Sequence, residues 1–217
     1  MRFSGFPERA LVFYDGLEAD NSKTYWTDHR AVYDDCVKGP MEALLAELAP
    51  EFGEAKFFRP YRDVRFAKDK TPYKTHAGAV VHGPGGGGLY VQVSAAGLLL
   101  SGGAWRPESA QVQRMRRAIA DDHLGPALEV ELASLRKAGW QIGGNPVKTR
   151  PQGYDSDHPR LELLRFRALS ASRDYGDQPW LASRDALTRV RRGWRRLAPL
   201  NEWIATHLGT AAERESR

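Results

Sequence analysis

The sequence predicts an α+β fold, a single domain in which helices flank an antiparallel sheet. Apolar residues recur at helical spacing near both ends of the chain. The middle of the chain instead contains short apolar segments of period two, separated by glycine-rich turns. No internal repeat is visible, and 217 residues suit one hydrophobic core. We therefore expect one domain over residues 1–209 and a flexible C-terminal tail over residues 210–217.

Three helices are predicted in the N-terminal part of the chain. Pro7 suits the first position of a helix, because its missing N–H costs nothing there. Asn21 or Ser22 can cap a second helix, whose apolar residues follow at three- and four-residue steps. Gly39-Pro40 is expected to break this second helix. A third helix is then expected to end at Pro50.

The middle of the chain predicts strands. Residues 57–66 alternate roughly with period two and indicate a strand or a bent strand. Residues 76–82 and 89–94 indicate two further strands, and the glycine-rich residues 83–88 form the turn between them. Residues 98–101 complete an antiparallel meander.

Helices and two strands are predicted in the C-terminal half. A helix is expected after Pro107, and a second helix is expected to end at Gly139. Asp177 or Ser183 can cap a final, Arg-rich helix over residues 184–196. The strands are expected at residues 140–142 and 166–172, with a long polar loop over residues 143–158, while residues 161–167 fit either a helix or a strand.

Composition excludes several classes of protein. The single cysteine, Cys36, excludes an internal disulfide framework and a Cys-rich zinc site. The longest apolar stretches are far shorter than the ~18 residues that span a bilayer. The N-terminus has no apolar signal core and no cleavage site. We therefore expect a cytoplasmic protein with no membrane partner.

Positive charge is concentrated in two segments. The net charge is +5, but residues 56–76 and residues 184–196 are each near +5, so that the rest of the chain has a net negative charge. Clustered cations attract anions and raise their local concentration. The alternative for the second cluster is a solvated helix face with no partner.

Residues 62–74, which we call the basic turn, form the densest polar segment. If its first residues are extended, Asp63 and Arg65 share one face, and the carboxylate can hold the guanidinium in place. Pro72 pushes Thr71 into an extended conformation. One interpretation is a preorganised anion site. The other is an internal network of salt bridges that fixes a turn.

In the first interpretation each polar side chain of the basic turn has a role. Asp63 and Asp69 orient the cations, and Tyr73 supplies an acid–base group. The anion is then bound by five cationic side chains: Arg62, Arg65, Lys68, Lys70 and Lys74.

The basic turn resembles a signature of the DUF2461 family of uncharacterised proteins, in its pattern Arg-Asp-x-Arg-Phe-x-x-Asp-Lys-x-Pro-Tyr-Lys. The resemblance covers most of residues 3–208 and implies a single domain of bacterial type. It implies no reaction, because the family has no established activity. Trp26 and Trp105 lie in family-like segments, and we expect both near a pocket. The further similar segments are residues 21–33, 90–93, 102–107, 151–159 and 163–165.

A second polar cluster lies in the long loop before the C-terminal strand. His158 stands beside Asp155 and Asp157, so that a carboxylate can orient the imidazole for proton transfer. In the alternative, an Asp side chain caps the following helix. Lys148 and Arg150 extend a basic rim. The histidines show no metal-binding spacing, and we predict neither a metal nor another cofactor.

Three functions are compatible with these features. An electropositive pocket can bind a small molecule that carries a phosphate or carboxylate group, with or without catalysis. Alternatively, the basic turn and the Arg-rich helix follow nucleic-acid phosphates while Tyr61, Phe66 or Tyr73 stack on bases. In the third function, a structural or partner-binding domain, the basic network only holds the fold. The acids interleaved in the basic turn favour the first, because a phosphate-tracking surface gains from unopposed charge.

Overall fold

The computed structural model describes residues 2–209. Its strands form one six-stranded antiparallel sheet in the order β1-β2-β3-β4-β6-β5, with flanking helices. The predicted α+β class is therefore confirmed. The tail predicted over residues 210–217 lies outside the described residues.

The elements of the described chain have the following bounds. The strands are β1 Ala55–Phe57, β2 His76–His82, β3 Gly88–Ser94, β4 Gly97–Ala104, β5 Gln141–Gly143 and β6 Leu169–Gly176. The helices are α1 Glu8–Ala19, α2 Lys23–Asp28, α3 Arg30–Val32, α4 Gly39–Phe52, α5 Ser109–Ala120, α6 Leu124–Lys137, α7 Leu161–Leu164, α8 Asp185–Arg196 and α9 Ala198–Leu208. A π-helical segment, Tyr33–Lys38, lies between α3 and α4.

The described chain divides into two compact units. The first unit contains residues 2–81, 90–100 and 174–193, and the second contains residues 82–89, 101–173 and 194–209. The chain passes from one unit to the other within β2, β3, β4, β6 and α8. Each unit is thus assembled from three separate stretches of sequence.

The N-terminal helices form as predicted, but their boundaries differ. The hydroxyl of Ser22 accepts the backbone N–H of Tyr25 at 3.1 Å, which confirms Ser22 as the cap of α2. The break predicted at Gly39-Pro40 is wrong, because the π-helical segment continues directly into α4. The proline lies in the first turn of α4, where its missing N–H is tolerated.

The end of α4 is also later than predicted. Pro50 lies inside the helix rather than at its end, and α4 continues to Phe52. The terminating residue is Gly53, whose φ of 91° breaks the helical conformation and whose N–H bonds the carbonyl of Ala49 at 2.9 Å. A glycine outside the apolar pattern, not the proline, therefore ends the helix.

The strand predicted over residues 57–66 is wrong beyond its first residue. β1 ends at Phe57, which lies opposite Ala79 of β2. The chain then leaves the sheet, since Pro60 has no N–H to donate to a neighbouring strand. The following residues form the basic turn.

The antiparallel meander is confirmed. β2, β3 and β4 are consecutive neighbours in the sheet. The turn between β2 and β3 contains Gly85 and Gly86, whose φ angles are 68° and 78°. These values lie in the left-handed region that favours glycine, so the glycine-rich sequence of this turn has a conformational cause.

The remaining predictions hold with small shifts. α5 and α6 lie where helices are expected, and β5 and β6 overlap the two expected strands. The ambiguous residues 161–167 contain the short helix α7. Ser183 rather than Asp177 stands at the start of α8, where its hydroxyl accepts the N–H of Asp185 at 3.2 Å. Among the described residues, no helix is long and apolar enough to cross a membrane.

Candidate functional site

The basic turn belongs to the first unit and is cross-linked by its own charges. Tyr61 pairs with Tyr73 across the base of the turn as an isolated β-bridge. Arg62 donates to the carboxylate of Asp69 and to the hydroxyl of Thr71. The backbone N–H of Thr71 bonds Asp69 at 2.9 Å, and this bond together with Arg62 lowers the pKa of Asp69 to about 2.

The contact expected between Asp63 and Arg65 is present. Arg65 donates through Nε and Nη2 to the two carboxylate oxygens of Asp63, at 2.9 and 2.7 Å. This bidentate bond lowers the pKa of Asp63. However, the Arg65 side chain is 76% exposed, so the pair lies on the surface and encloses no space.

The lysines of the basic turn mainly bond the backbone. Lys70 Nζ donates to the carbonyl of Val64 at 3.0 Å, and Lys74 Nζ donates to the carbonyl of Arg59 at 2.8 Å. Lys68 is exposed. Because both guanidinium groups of the turn are already neutralised by carboxylates, these contacts favour the salt-bridge interpretation. A role of the five cations in anion binding stays a prediction.

Two family-like segments of the first unit fold against each other. The rings of Trp26 and Tyr73 stack with centroids 4.4 Å apart and planes 8° apart. The side chain of Asn21 accepts the N–H of Tyr73 at 3.0 Å and donates to its carbonyl at 3.1 Å. Burial raises the pKa of the Tyr73 hydroxyl, and the residue is only 5% exposed. These contacts indicate that Tyr73 anchors the basic turn; its acid–base role stays a prediction.

The cluster around His158 lies in the second unit, with contacts that differ from those expected. The predicted aspartate cap is not observed among the described residues; instead, His158 Nδ1 accepts the N–H of Arg160, the residue before α7, at 3.0 Å. Asp155 and Asp157 are exposed, and Asp155 contributes its backbone carbonyl to the turn. Within residues 2–209, no carboxylate orients the imidazole. The proposed catalytic role of Asp157 and His158 therefore rests on the sequence alone.

A cleft of about 470 Å³ lies in the second unit. We call it the arginine cleft, because three arginines and no acidic residue line it. Trp105, which the sequence places near a pocket, forms part of its wall. The lining residues are Trp105, Arg106, Pro107, Ser109, Val112, Gln113, Arg116, Asn145, Val147 and Arg167.

Local structure explains how one wall of the arginine cleft is built. Trp105 follows β4 directly, and its indole N–H donates to the hydroxyl of Ser101 at 3.3 Å. That hydroxyl in turn donates to the carbonyl of Ala171 at 3.1 Å. The first two turns of α5 then supply Ser109 and Arg116, among other lining residues.

Another part of the lining comes from a loop that is paired with the chain after α7. The N–H of Val147 bonds the carbonyl of Arg165, and the N–H of Arg167 bonds the carbonyl of Gly144, both at 2.8 Å. Asn145 has a φ of 48°, a left-handed conformation that asparagine adopts more readily than most residues. This pairing places Asn145, Val147 and Arg167 on the cleft.

The guanidinium groups of the arginine cleft differ from those of the basic turn in their partners. Arg116 Nε donates to the carbonyl of Leu164 at 2.8 Å, and Arg167 Nε donates to the carbonyl of Asn145 at 3.4 Å. Arg106 is exposed. None of these three arginines forms an ion pair with any residue that the structure describes. Glu108, the nearest acid in sequence, caps α5 and does not line the cleft.

Sequence reasoning missed these three arginines. Arg106 lies within the family-like segment 102–107, which was a usable signal. Arg116 and Arg167 have other arginines close by in the sequence but lie in no recognisable motif, and only the fold brings them to the same cleft.

Comparison with the curated proteins finds no match. A family model, described as conserved hypothetical protein (DUF2461), matches residues 9–203. The match includes the basic turn, the stack of Trp26 on Tyr73 and every residue of the arginine cleft. The chain therefore belongs to the DUF2461 family.

Proposed function

We propose that the protein binds a small molecule that carries a phosphate or carboxylate group in the arginine cleft. The proposal depends on a difference in ion pairing between the arginines of the cleft and those of the basic turn. The cleft has three guanidinium groups with no carboxylate partner in the described chain, whereas Arg62 and Arg65 of the basic turn are neutralised. Unneutralised guanidinium groups retain donors for a visiting oxyanion, which they can bind in bidentate fashion.

The N-terminal half of α5 adds to this electrostatic preference. The aligned peptide dipoles of a helix give its N-terminus a partial positive charge, which favours anions. Ser109 begins α5 and lines the cleft, so this helix end faces the same space as the arginines. The Glu108 carboxylate offsets part of this positive charge, because it accepts a backbone N–H of the first turn. The arginines therefore supply the larger share of the attraction.

The rest of the lining indicates an apolar part in the ligand. Trp105, Pro107, Val112 and Val147 contribute apolar surface to a cleft that also contains polar groups. Small-molecule sites generally combine apolar walls with a few polar groups that fix orientation. A planar or ring-bearing molecule with one oxyanion fits this composition better than a free inorganic anion.

Binding is supported better than catalysis. The lining of the arginine cleft contains no Asp, Glu, His, Cys or Lys, which are the usual acid–base and nucleophilic groups. Ser109 is its one hydroxyl, and no base lines the cleft beside it. We therefore propose a binding function and assign no reaction.

Fewer side chains are available to contact nucleic acid than the sequence indicates. In the Arg-rich segment, Arg184 pairs with Glu47, Arg191 with Glu51 and Arg196 with Glu131. Tyr73 is stacked and buried, so its ring is closed to bases. These contacts favour the small-molecule proposal over a surface that follows phosphates.

Thermal unfolding in the presence of simple probes tests the proposal. We expect phenyl phosphate and benzoate to raise the melting temperature, because a ligand at 100 times its Kd adds about 2.7 kcal/mol of stability. Inorganic phosphate is expected to have a smaller effect, and uncharged benzyl alcohol none. The double variant Arg106→Gln/Arg167→Gln is expected to lose the response to both anions.

A matched variant separates the cleft from general charge. Arg117→Gln removes an exposed arginine of α5 that does not line the cleft. We expect this variant to respond to the anions like the native protein. Equal responses of the native protein and the double variant would show that the arginine cleft is not the site.

A further inference from the structure

Phe66 is the most exposed large apolar side chain of the described chain, at 96% of its full accessible surface. It lies near the tip of the basic turn, between Arg65 and the exposed Lys68 and Lys70. The other exposed large apolar side chains of the described chain, of which Val130 at 71% is the most exposed, lie outside this turn. A phenyl ring in water gains free energy when a partner covers it.

The turn that carries Phe66 is braced by many contacts. The bonds from Arg62 to Asp69 and from Lys70 to the carbonyl of Val64 cross the turn. The stack of Trp26 on Tyr73 anchors its base. Because the backbone is held in place, little conformational entropy is lost when Phe66 meets a partner.

The charge around Phe66 indicates the chemistry of that partner. Residues 59–74 contain six Lys or Arg and two Asp, a net charge of +4. The pairs described above neutralise two of these cations, and the exposed lysines remain on the same turn. The complementary partner is therefore anionic and has an apolar phase into which one ring can insert.

We propose that the basic turn docks the protein on an anionic lipid surface, with Phe66 inserted at the interface and the surrounding cations on the headgroups. Interfacial binding combines burial of apolar area with attraction to anionic lipids, and this turn presents both at one tip. A single-stranded nucleic acid is favoured less, because such sites stack successive bases on several rings. Here Tyr73 is buried, and the partly exposed Tyr61 packs against Trp26 and Tyr73, so that Phe66 is the ring of this turn that lies almost fully in water. With one anchor, the contact is weak and reversible.

Sedimentation with lipid vesicles tests this proposal on the full chain. We expect binding to vesicles of phosphatidylcholine with phosphatidylserine, reduced by salt, and no binding to phosphatidylcholine alone. Phe66→Ala is expected to weaken binding about tenfold, because it removes the apolar group that leaves water. Phe66→Leu is expected to retain most of the affinity, since an aliphatic chain also enters the interface.

Matched variants make the result specific to this turn. Val130→Ala and Lys137→Gln remove an exposed apolar group and an exposed cation from α6, and both are expected to bind like the native protein. Lys68→Gln is expected to weaken binding about fivefold. The Arg106→Gln/Arg167→Gln variant is expected to bind vesicles normally, so that failure of the cleft proposal and of this one can be told apart.

Three results would overturn the proposal. The first is no binding to anionic vesicles at low ionic strength. The second is equal binding by Phe66→Ala and the native protein. The third is a single-stranded oligonucleotide whose binding is lost in both Phe66→Ala and Phe66→Leu while vesicles do not bind, which would assign the ring to base stacking.

Discussion

Arg160 shows how the chain uses a buried guanidinium group. Only 6% of Arg160 is exposed, and its side chain donates to the carbonyls of Ile119 and Ala120 at 2.6 and 3.0 Å. These carbonyls belong to the last turn of α5, where no intrahelical N–H is available. A Cβ at Gly125 would lie 2.4 Å from Arg160 Nε, so the neighbouring helix must have a glycine there. Arg160 therefore terminates α5 from outside the helix.

Replacing Arg160 with methionine is expected to lower the free energy of unfolding by about 2–4 kcal/mol, because buried carbonyl groups lose their donors. Urea denaturation measures this loss. Arg117→Met, at an exposed position of the same helix, is the matched control and is expected to change stability by less than about 0.5 kcal/mol. If the two variants lose equal stability, the termination role of Arg160 is wrong.

At the residue scale, sequence separation decided what could be predicted. Asp63 and Arg65 are two residues apart, so a local argument about strand faces was enough to predict their contact. Arg106 and Arg167 are 61 residues apart in the sequence. They line the same cleft because the chain after α7 forms backbone hydrogen bonds with the loop around Asn145. The sequence placed the predicted anion site in the basic turn because its charged residues are dense there. In the structure, each guanidinium group of that turn has a carboxylate beside it.

Glu47 of α4 joins three segments of the first unit. Its carboxylate accepts Arg184 Nη1 at 2.9 Å and the backbone N–H of Phe3 at 2.8 Å. Arg184 Nη1 also donates to the carbonyl of Phe3 at 2.8 Å. The N-terminal segment, α4 and the residue before α8 thus meet at one charged group, which is only partly exposed.

The contacts of Glu47 at this junction make the free energy of unfolding decrease as the pH falls. The bonds from Arg184 and then from Phe3 lower the pKa of Glu47 from 4.5 to about 2. A carboxyl group with a lowered folded-state pKa stabilises the fold above its unfolded value, and this stability is lost as the pH falls. We therefore expect the native protein to lose stability between about pH 4.5 and pH 2. Glu47→Gln is expected to flatten that dependence in urea unfolding curves.

Arg184→Gln provides the partner test for the same junction. It leaves the carboxyl group but removes the main cause of the lowered pKa, so its pH dependence is also expected to be flatter. Asp63, Asp69 and Asp121, whose pKa values are likewise lowered, retain their own contribution in both variants. An unchanged slope in both variants would place the acid sensitivity in those aspartates instead.

At the element scale, local rules succeeded where the helix or strand was regular. The Ser22 cap and the meander followed from capping and period-two patterns. The rules failed at Gly39-Pro40, because a proline in a first helical turn is compatible with a helix that is continued from a π-helical segment. They also failed after Phe57, where alternation of residue types continues although Pro60 and the charged side chains leave the sheet.

At the scale of the whole molecule, the path of the chain limits which pieces can be removed. Residues 174–193 contribute to the first unit and residues 194–209 contribute to the second. The first stretch contains Arg184 and the buried Leu181, Leu187 and Val190. The second contains five large side chains that are no more than 2% exposed: Trp194, Leu197, Leu200, Ile204 and Leu208. The C-terminal 36 described residues therefore complete both cores.

A chain truncated after residue 173 is consequently expected not to fold cooperatively, although it retains the basic turn and the whole arginine cleft. Each unit would lose a stretch that buries large apolar side chains, and each such loss costs about 2–5 kcal/mol, against total stabilities of about 5–15 kcal/mol. Circular dichroism during thermal unfolding measures this, with a chain ending at residue 209 as the control that should melt like the full protein. A truncated chain that still melts in one sharp transition at the native midpoint would show that the core forms without α8 and α9. The ion pair of Glu47 with Arg184 would then not be needed for folding.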